Sequence, residues 1–370
     1  MTEVLSALLN NKSLNKEQLV QLLGISNQDE HEALLQHGLK TKAESVGRIV
    51  YLRGLIELTN QCGKNCLYCG IRAENKKVDR YFLSDEAVLK AAEFAHINRF
   101  GSLVIQTGEL SGPSFAAHIE HLLKLIHQHT NKELIITLSC GEQSIEVYRR
   151  WKEAGASRYL LRIEASNRRL YESIHPADGH HDYDTRIKAL QDLKTCGYQV
   201  GTGVMIGLPG QTLEDLADDL LFFREMDIDM VGMGPYLEHA DTPIFDQSKL
   251  LLPANERYLL SLRMIALLRI MMPYINIAAS TALETINPLG RQMGVLAGAN
   301  VVMPNLTPVS DRKKYLLYNN KPNLDKDASL STKSLNAAIS AIGETICFDM
   351  PGDSIHFQHR TSPEPGNSLS

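Results

Sequence analysis

Short runs of β-branched and aromatic residues alternate with amphipathic stretches from about residue 48 onward. Eight of these runs have the length and composition of strands: Val50–Leu58, Leu103–Thr107, Leu134–Ser139, Tyr159–Glu164, Val200–Ile206, Met230–Gly234, Ile275–Ala279 and Asn300–Met303. Parallel strands joined by crossover helices have this signature, and eight such units can close a barrel. We therefore predict an α/β fold, a (β/α)₈ TIM barrel, with an N-terminal helical extension and a C-terminal helical tail.

The competing architecture with the same alternation is a doubly wound open sheet. Its dinucleotide-binding glycines belong at a turn from a strand into a helix, whereas Gly201, Gly203 and Gly207 lie inside a strand pattern. Thr212, followed three residues later by Asp215, has the spacing of a helix N-cap and predicts the crossover helix after the fifth strand. These features favour the barrel.

The first fifty residues carry helix-start signals rather than strand patterns. Asn15 with Gln18, and Asn27 with Glu30, have the spacing of capping boxes ahead of leucine-rich stretches. We predict that these helices pack outside the barrel.

Strand character is lost after Pro304, and a polar stretch over 319–331 leads to a predicted helix over Thr332–Ile346. The tail from Thr361, with its prolines, serines and glycine, has the composition of a disordered segment. The predicted organisation is N-terminal helices over 1–47, the barrel over 48–318, a C-terminal helical segment over 319–360 and a disordered tail over 361–370.

Composition narrows the class of protein. The formal net charge of −5 argues against nucleic acid as a partner, because nucleic-acid binders usually run basic. The apolar run Leu262–Met272 contains Arg263 and Arg269, so no stretch is predicted to span a membrane. The N-terminus carries no signal-peptide pattern. We predict a cytoplasmic protein.

Three of the six cysteines lie within eight positions, in the order Cys62, Cys66 and Cys69. The spacing C-x3-C-x2-C directly follows the first predicted strand, at the barrel end where active sites form. Three thiolates can hold three corners of an iron–sulfur cube and leave the fourth iron open, whereas closed clusters use four cysteines. The alternative is a structural zinc site, which normally needs a fourth Cys or His ligand that the local sequence does not offer.

This motif, with Tyr68 between the last two cysteines, resembles that of the radical S-adenosylmethionine (SAM) superfamily. The resemblance covers about residues 45–318. Over this range the sequence most resembles the HydE family of iron-only hydrogenase maturases, with biotin synthase and methylornithine synthase as relatives. This resemblance is carried by the segments YLRGLIELTNQCGKNCLYCGIR, VIQTGE, RYLLRIEASN, GTGVMIGLPGQT, DMVGMGPYLEHADTP and GANVVMPNLTP. The resemblance implies one 4Fe-4S cluster, held by the three cysteines, and SAM as a second cofactor.

The resemblance also implies roles for individual residues. Glu109 would receive the SAM amino group, Glu164 the ribose hydroxyls and Arg186 the carboxylate. Independently of the family, Arg162 and Glu164 alternate with apolar residues, which predicts that both point into the barrel. The residues assigned to SAM are Tyr68, Gln106, Gly108, Glu109, Glu164, Arg186, Gly207 and Met303. Those assigned to the substrate cavity are Arg162, Thr281, Tyr315 and Tyr318.

Other histidines and cysteines are interpreted without a metal. His175, His180 and His181 lie in a polar segment and are predicted to be solvated rather than ligands. Only Cys140 is placed to contribute to the second, sulfur-donating cluster that biotin synthase needs, so sulfur insertion is disfavoured. Cys347 stands alone where some family members carry a second cysteine triad, and a single cluster is predicted.

Three functions remain open at this point. The first is a radical SAM enzyme of hydrogenase cofactor assembly, acting on a small cysteine-containing organometallic iron complex. The resemblance then implies as partners a radical SAM enzyme that forms CO and cyanide, a GTPase scaffold maturase, and an electron donor such as flavodoxin or ferredoxin. The others are an amino-acid mutase of the methylornithine synthase type and a non-catalytic zinc or iron–sulfur carrier.

Overall fold

Two helices open the computed structural model, which describes residues 13–362: α1 (Lys16–Leu23) and α2 (Gln28–Ser45). Asn15 and Gln18 form the predicted reciprocal capping box at α1. At α2, Asn27 accepts a hydrogen bond from the backbone N–H of Glu30 without the reverse bond. Both helices bury leucines against the helices of the barrel. They therefore lie outside the barrel and share its hydrophobic core.

The strands that follow form one closed parallel sheet. They are β1 (Ile49–Thr59), β2 (Ser102–Thr107), β3 (Ile135–Ser139), β4 (Ala156–Leu160), β5 (Gln199–Thr202), β6 (Met205–Ile206), β7 (Met230–Pro235), β8 (Asn276–Ala279), β9 (Val301–Val302) and β10 (Thr345–Cys347). Neighbours run β1-β2-β3-β4-β5-β7-β8-β9, and β9 pairs back with β1 through Val301 opposite Tyr51. The predicted (β/α)₈ barrel is confirmed.

Helices cover the outside of the barrel. They are α3 (Asp85–Ile97), α4 (Pro113–His129), α5 (Ile145–Glu153), α6 (Arg168–Ser173), α7 (Tyr183–Thr195), α8 (Leu213–Glu225), α9 (Ala254–Met271), α10 (Thr281–Ile286), α11 (Gly290–Leu296), α12 (Val309–Arg312), α13 (Ala328–Ala341) and α14 (Ile355–Thr361), with a 3₁₀ helix over Pro243–Leu250. Thr212 and Asp215 form the predicted capping box of α8. No helix of the described chain is long and apolar enough to cross a membrane.

The fourth strand is shorter than the sequence predicts. It ends at Leu160 rather than Glu164. The backbone hydrogen bonds between β4 and β5 are interrupted at Ile163, whose N–H donates to the Thr202 hydroxyl at 3.1 Å instead of to a backbone carbonyl. Glu164 then adopts a left-handed backbone, with φ of 65°. The prediction that Arg162 and Glu164 belong to a regular strand is therefore wrong.

The chain beyond Pro304 contains a strand that the sequence analysis did not predict. The predicted helix Thr332–Ile346 is α13, which ends at Ala341, and Gly343 turns the chain with φ of 74°. Strand β10 then pairs with the start of β1. Thr361 ends α14 rather than starting a tail, and residues 363–370 of the predicted disordered tail lie outside the described residues.

The last described segment closes the lower end of the barrel, opposite the carboxyl ends of the strands. Buried Arg53 and Arg158 donate to the carbonyls of Gly352 and Pro351, at 3.1 and 2.6 Å. Arg158 also pairs with Asp353 at 2.5 Å. The floor of the barrel is thus built from the chain's own backbone, which leaves the carboxyl-end mouth for chemistry.

Candidate active site

The three clustered cysteines lie on the loop that leaves the carboxyl end of β1. All are free thiols and partly buried. The backbone N–H of Glu109 donates to the Cys62 sulfur at 3.3 Å. Burial raises the pKa of Cys62, while backbone N–H groups of Lys64 and Glu109 oppose this rise. The N–H of Ile71 acts in the same way on Cys69. These donors favour negative charge on sulfur, as iron–sulfur sites require.

The three thiols are neighbours in the folded chain. Burial, followed by repulsion from Cys69 and Cys62, raises the pKa of Cys66, so the three sulfurs are close enough to repel one another as thiolates. Within residues 13–362, no three His, Cys, Asp or Glu side chains meet closely enough to hold a single metal ion. A 4Fe-4S cube takes one thiolate at each corner, so its ligands need not converge on one atom. Cys62, Cys66 and Cys69 would hold three corners of such a cube.

Two glycines let the cysteine loop approach its neighbours. A Cβ on Gly108, at the end of β2, would lie 2.2 Å from the Gln61 carbonyl oxygen and 2.9 Å from the Cys62 Cβ. A Cβ on Gly70 would lie 2.2 Å from the carbonyl oxygen of Leu316. Neither contact is possible for a larger residue, so the loop is held between β2 and the segment after α12.

Of the three histidines that the sequence analysis placed in solvent, His180 is exposed as predicted, whereas His175 and His181 are buried beneath this loop. His181 accepts a hydrogen bond from the backbone N–H of Asn65 at 3.1 Å, and its other nitrogen faces Asp178 at 2.8 Å. Burial lowers the pKa of His175 to about 3, and its ring contacts Tyr68 edge-on with centroids 5.5 Å apart. Their function is to support the loop, a role that sequence separations of 100 residues or more conceal.

A four-residue charge network lies beside the thiols. Glu109 is paired with Lys64 and Arg186, each at 3.2 Å. Glu142, which the sequence analysis missed, pairs with the same two cations at 2.8 and 2.7 Å. Burial alone would raise the pKa of Glu109, but Arg186 and Lys64 together lower it. Adjacent carboxylate and guanidinium groups suit a zwitterion, since each end of such a ligand finds an opposite charge.

Arg162 and Glu164 pair with each other just beyond β4. The guanidinium Nε lies 3.0 Å from a Glu164 carboxylate oxygen, and a terminal nitrogen of Arg162 donates to the Val204 carbonyl at 2.9 Å. The Glu164 backbone is fixed on both sides, since its N–H donates to Gly203 and its carbonyl accepts from Met205. A left-handed conformation of a residue other than glycine costs free energy and is characteristic of functional sites.

A buried carboxylate supports this turn. Asp219 of α8 accepts from both the backbone N–H and the hydroxyl of Ser166, at 2.8 and 2.6 Å. Burial raises the pKa of Asp219 to about 7. In the sequence, Asp219 is one of several acidic residues of a predicted helix. Its contact with Ser166, 53 positions away, could not be predicted from that pattern.

The opposite rim of the mouth is formed by the strap, which we define as residues 313–327. Tyr315 is buried, and its hydroxyl accepts from the Gln106 amide at 3.2 Å, so a residue predicted for substrate and one predicted for SAM meet. Burial raises the pKa of Tyr318 to about 12, although a hydrogen bond with Thr285 opposes the rise. Thr281 is the first residue of α10 and is half-buried.

The remaining predicted residues are placed as follows. Gly207, with φ of 83°, donates its N–H to the Gln211 amide oxygen at 2.6 Å in the turn before α8. Met303 follows β9 and lines the interior of the barrel. Cys140 is fully buried behind β2 rather than beside the thiols, and Cys347 lies on β10. The three-thiol loop and a charged, partly open barrel mouth define an enzyme of the radical SAM class.

Comparison with known proteins gives the same class and narrows it. The Radical SAM superfamily model matches residues 56–223. The [FeFe] hydrogenase maturase subunit HydE of Thermotoga maritima is 40% identical over 313 residues, which are 85% of this chain and 86% of that protein. The chain therefore belongs to the HydE family of radical SAM enzymes. Members of the superfamily use a 4Fe-4S cluster and SAM, and the thiol loop described above fits that cluster.

More distant relatives share the fold. Biotin synthase of Crocosphaera subtropica is 27% identical over 311 residues, covering 81% of this chain and 78% of its own. The crystal structure of methylornithine synthase (PylB) superposes with a TM-score of 0.79 and 22% identity, covering 94% of this chain and 98% of that chain. At this identity, the second likeness shows a common barrel architecture only.

Proposed function

We propose that this radical SAM enzyme acts in assembly of the di-iron H-cluster of FeFe-hydrogenase, on a small cysteine-containing iron complex. The observation that carries the proposal is the loop of three free thiols at the barrel mouth, with backbone N–H groups directed at two of its sulfurs. The identity to HydE of Thermotoga maritima supports the hydrogenase connection.

The cluster and SAM, when bound, supply a 5′-deoxyadenosyl radical after one-electron reduction. The protein's own residues hold and orient the reactants. In the proposal, the Glu109 carboxylate receives the SAM ammonium and Arg186 its carboxylate, so both ends of the zwitterion meet charges already fixed by Lys64 and Glu142. Because these groups are preorganised, little reorganisation remains when SAM binds.

The adenosine part of SAM is assigned to the next two strand ends. Glu164 would accept from the ribose hydroxyls, and its strained backbone fixes the direction of the carboxylate. The turn at Gly207 would approach the adenine, and Tyr68 would pack beside it. Gly108 and Gln106 would form the wall below the sulfonium, with Met303 opposite.

The substrate is assigned to the interior between Arg162 and the strap. Arg162 would attract a negatively charged iron complex, while Thr281, Tyr315 and Tyr318 would orient it and exclude water. The partners of the enzyme would be the maturase that forms CO and cyanide, a GTPase scaffold and a flavodoxin or ferredoxin, all acting in the cytoplasm.

Anaerobic reconstitution tests the enzymatic part. The purified chain is loaded with iron and sulfide, reduced with dithionite and mixed with SAM, and 5′-deoxyadenosine is measured by chromatography. Formation of 5′-deoxyadenosine is expected; its absence would remove the radical-enzyme proposal. Added lysine should not be rearranged, because a rearranged product would favour the amino-acid mutase alternative.

Deletion of the gene tests the biological part. Loss of hydrogenase activity, restored by the intact gene but not by a copy encoding Cys66→Ala, is the expected result. Unimpaired hydrogen production in the deletion strain would contradict a role in H-cluster assembly, even if the purified protein cleaves SAM.

A further inference from the structure

Two cavities meet at Met303. The inner cavity, of about 30 Å³, lies within the barrel and includes Arg53, Thr137 and Asn276 in its wall. A larger cavity of about 160 Å³, which we call the lateral pocket, lies between α10, α11, the strap and α13, and its lining includes Thr281 at the start of α10. Met303 lines both. A methionine is unbranched and has three rotatable side-chain bonds, so it moves aside more easily than a branched side chain.

One wall of the lateral pocket is fixed by a buried arginine. Arg312 is 2% exposed. Its guanidinium donates hydrogen bonds to four backbone carbonyls, those of Thr307 at 2.7 Å, Asn305 at 2.8 Å, Asn323 at 3.4 Å, and Lys326. The first two carbonyls belong to the segment after β9, and the others belong to the strap. Arg312 therefore clamps the strap to the barrel wall and holds the pocket open beneath it.

The opposite wall is fixed by a carboxylate. Glu284 of α10 pairs with Arg291 of α11 and accepts from the side-chain amide of Asn323 at 3.0 Å. Lys321, at the inner end of the strap, pairs with buried Glu57 of β1. The walls are thus joined by charge-assisted hydrogen bonds across three elements, so the pocket is part of the fold rather than a gap between loosely packed segments.

The charge of the pocket favours an anion. Its lining contains four cationic side chains and one carboxylate, namely Arg291, Arg312, Lys321, Lys326 and Glu284. Glu284 neutralises Arg291, and Glu57 neutralises Lys321. Within the described chain, Lys326 has no carboxylate partner, and the hydroxyl of Ser331 is buried without a hydrogen bond. Both groups are therefore available to a ligand.

The apolar part of the lining sets the size and character of that ligand. Leu55, Leu335 and Ala338 form an apolar surface facing the charged groups. The volume of about 160 Å³ corresponds to roughly ten water molecules at about 15 Å³ each. A small anion with a compact apolar body fits this combination, whereas a nucleotide does not.

We propose that the lateral pocket binds a small anionic molecule and gives the anionic substrate or product a route to the barrel interior past Met303. SAM, bound at the mouth, would obstruct the direct path between solvent and the interior cavity. A side route would let the second reactant exchange while SAM stays in place. The route rests on the proposed function, whereas anion binding in the pocket does not.

The binding part is tested with bromide as the probe ion. Crystals of the reconstituted enzyme with SAM are soaked in sodium bromide, and anomalous scattering locates the ion. A bromide beside Lys326 and Ser331 is expected in the wild type and in the control Ala337→Trp. The bromide should be lost in Ala338→Trp, whose indole would fill the pocket. Ser334→Trp should also lose it, and this variant replaces Ala338→Trp if the latter does not fold, because position 334 is more exposed. An empty wild-type pocket, or a bromide indifferent to both filling variants, overturns the proposal.

The route is tested by hydrogenase activation in a reconstituted maturation mixture, with the small iron-containing fraction as the varied component. Ser334→Trp should raise the concentration needed for half-maximal activation about tenfold, leaving the maximum and substrate-free 5′-deoxyadenosine formation within twofold. The matched control Asn336→Trp, on the solvent side of α13, should change neither. Equal behaviour of the two variants excludes the route. Absence of 5′-deoxyadenosine from the wild type would instead defeat the proposed function, and the bromide result would still stand.

Discussion

The two ends of the barrel use buried charges in opposite ways. At the floor, Arg53 and Arg158 donate to carbonyls of the chain's own C-terminal segment, and Asp353 completes the set. At the mouth, Glu109 and Arg186 form ion pairs with side chains, next to three free thiols. Side chains tied to the chain's own backbone stabilise the fold, whereas ion pairs between side chains can exchange partners with a ligand. The difference separates the stabilising end from the chemical end.

Removing a mouth thiol should have the largest effect on activity and the smallest on folding. Cys66→Ala is expected to lower 5′-deoxyadenosine formation at least about a hundredfold, more than changes outside the ligand set usually cost. The melting temperature of the apoprotein should shift by no more than about 2 °C, because the loop is only partly buried. Cys347→Ala, on β10, is the matched control and should retain activity. Unfolding of Cys66→Ala on its own would favour a structural zinc site, since structural zinc contributes to folding.

Removing a floor carboxylate should do the reverse. Asp353→Ala leaves Arg158 buried without its counter-ion, which is expected to lower the free energy of unfolding by about 3 kcal/mol in urea titrations. SAM cleavage by the folded fraction should be unchanged. Asp349→Ala breaks the exposed Arg99–Asp349 pair nearby and should cost less than about 1 kcal/mol. Equal losses of unfolding free energy in the two variants would show that the buried Arg158–Asp353 pair stabilises the fold no more than an exposed pair does.

The sequence patterns predict the barrel, the cysteine loop and most strand ends, because strand alternation and C-x3-C-x2-C spacing are local. The partners of those residues are not local. Glu142 and His181 reach the cysteine loop from elsewhere in the chain, and Asp353 reaches Arg158 across 195 positions. The same limit explains why β10 was missed: three residues form a strand only because the start of β1 lies beside them.

At the mouth end of the barrel, Asp219 should make the free energy of unfolding depend on pH. Its pKa is raised to about 7, chiefly by burial, so the folded state binds the proton more tightly than the unfolded chain, where the value is 3.8. Its ionisation therefore destabilises the fold as pH rises between these values and adds nothing further above about 7. Between pH 5.5 and 7 the wild type should lose about 2 kcal/mol of unfolding free energy that Asp219→Asn, which cannot ionise, does not lose.

Chemical denaturation at several pH values checks this expectation. Asp218→Asn, at the neighbouring half-exposed position of α8, is the control, since it pairs with Lys16 near solvent. A difference between Asp219→Asn and wild type that stays constant across this pH range would show that burial does not perturb Asp219 in the folded protein.

In the proposed mechanism, three thiols hold a 4Fe-4S cluster whose fourth iron is free to bind SAM. Electron paramagnetic resonance of the dithionite-reduced enzyme, with and without SAM carrying ¹⁵N in its amino group, tests it most directly. We expect one cluster per chain, a signal that changes when SAM is added, and a magnetic coupling to that nitrogen. A signal indifferent to SAM, or anaerobically purified protein that holds zinc instead of iron, would contradict it.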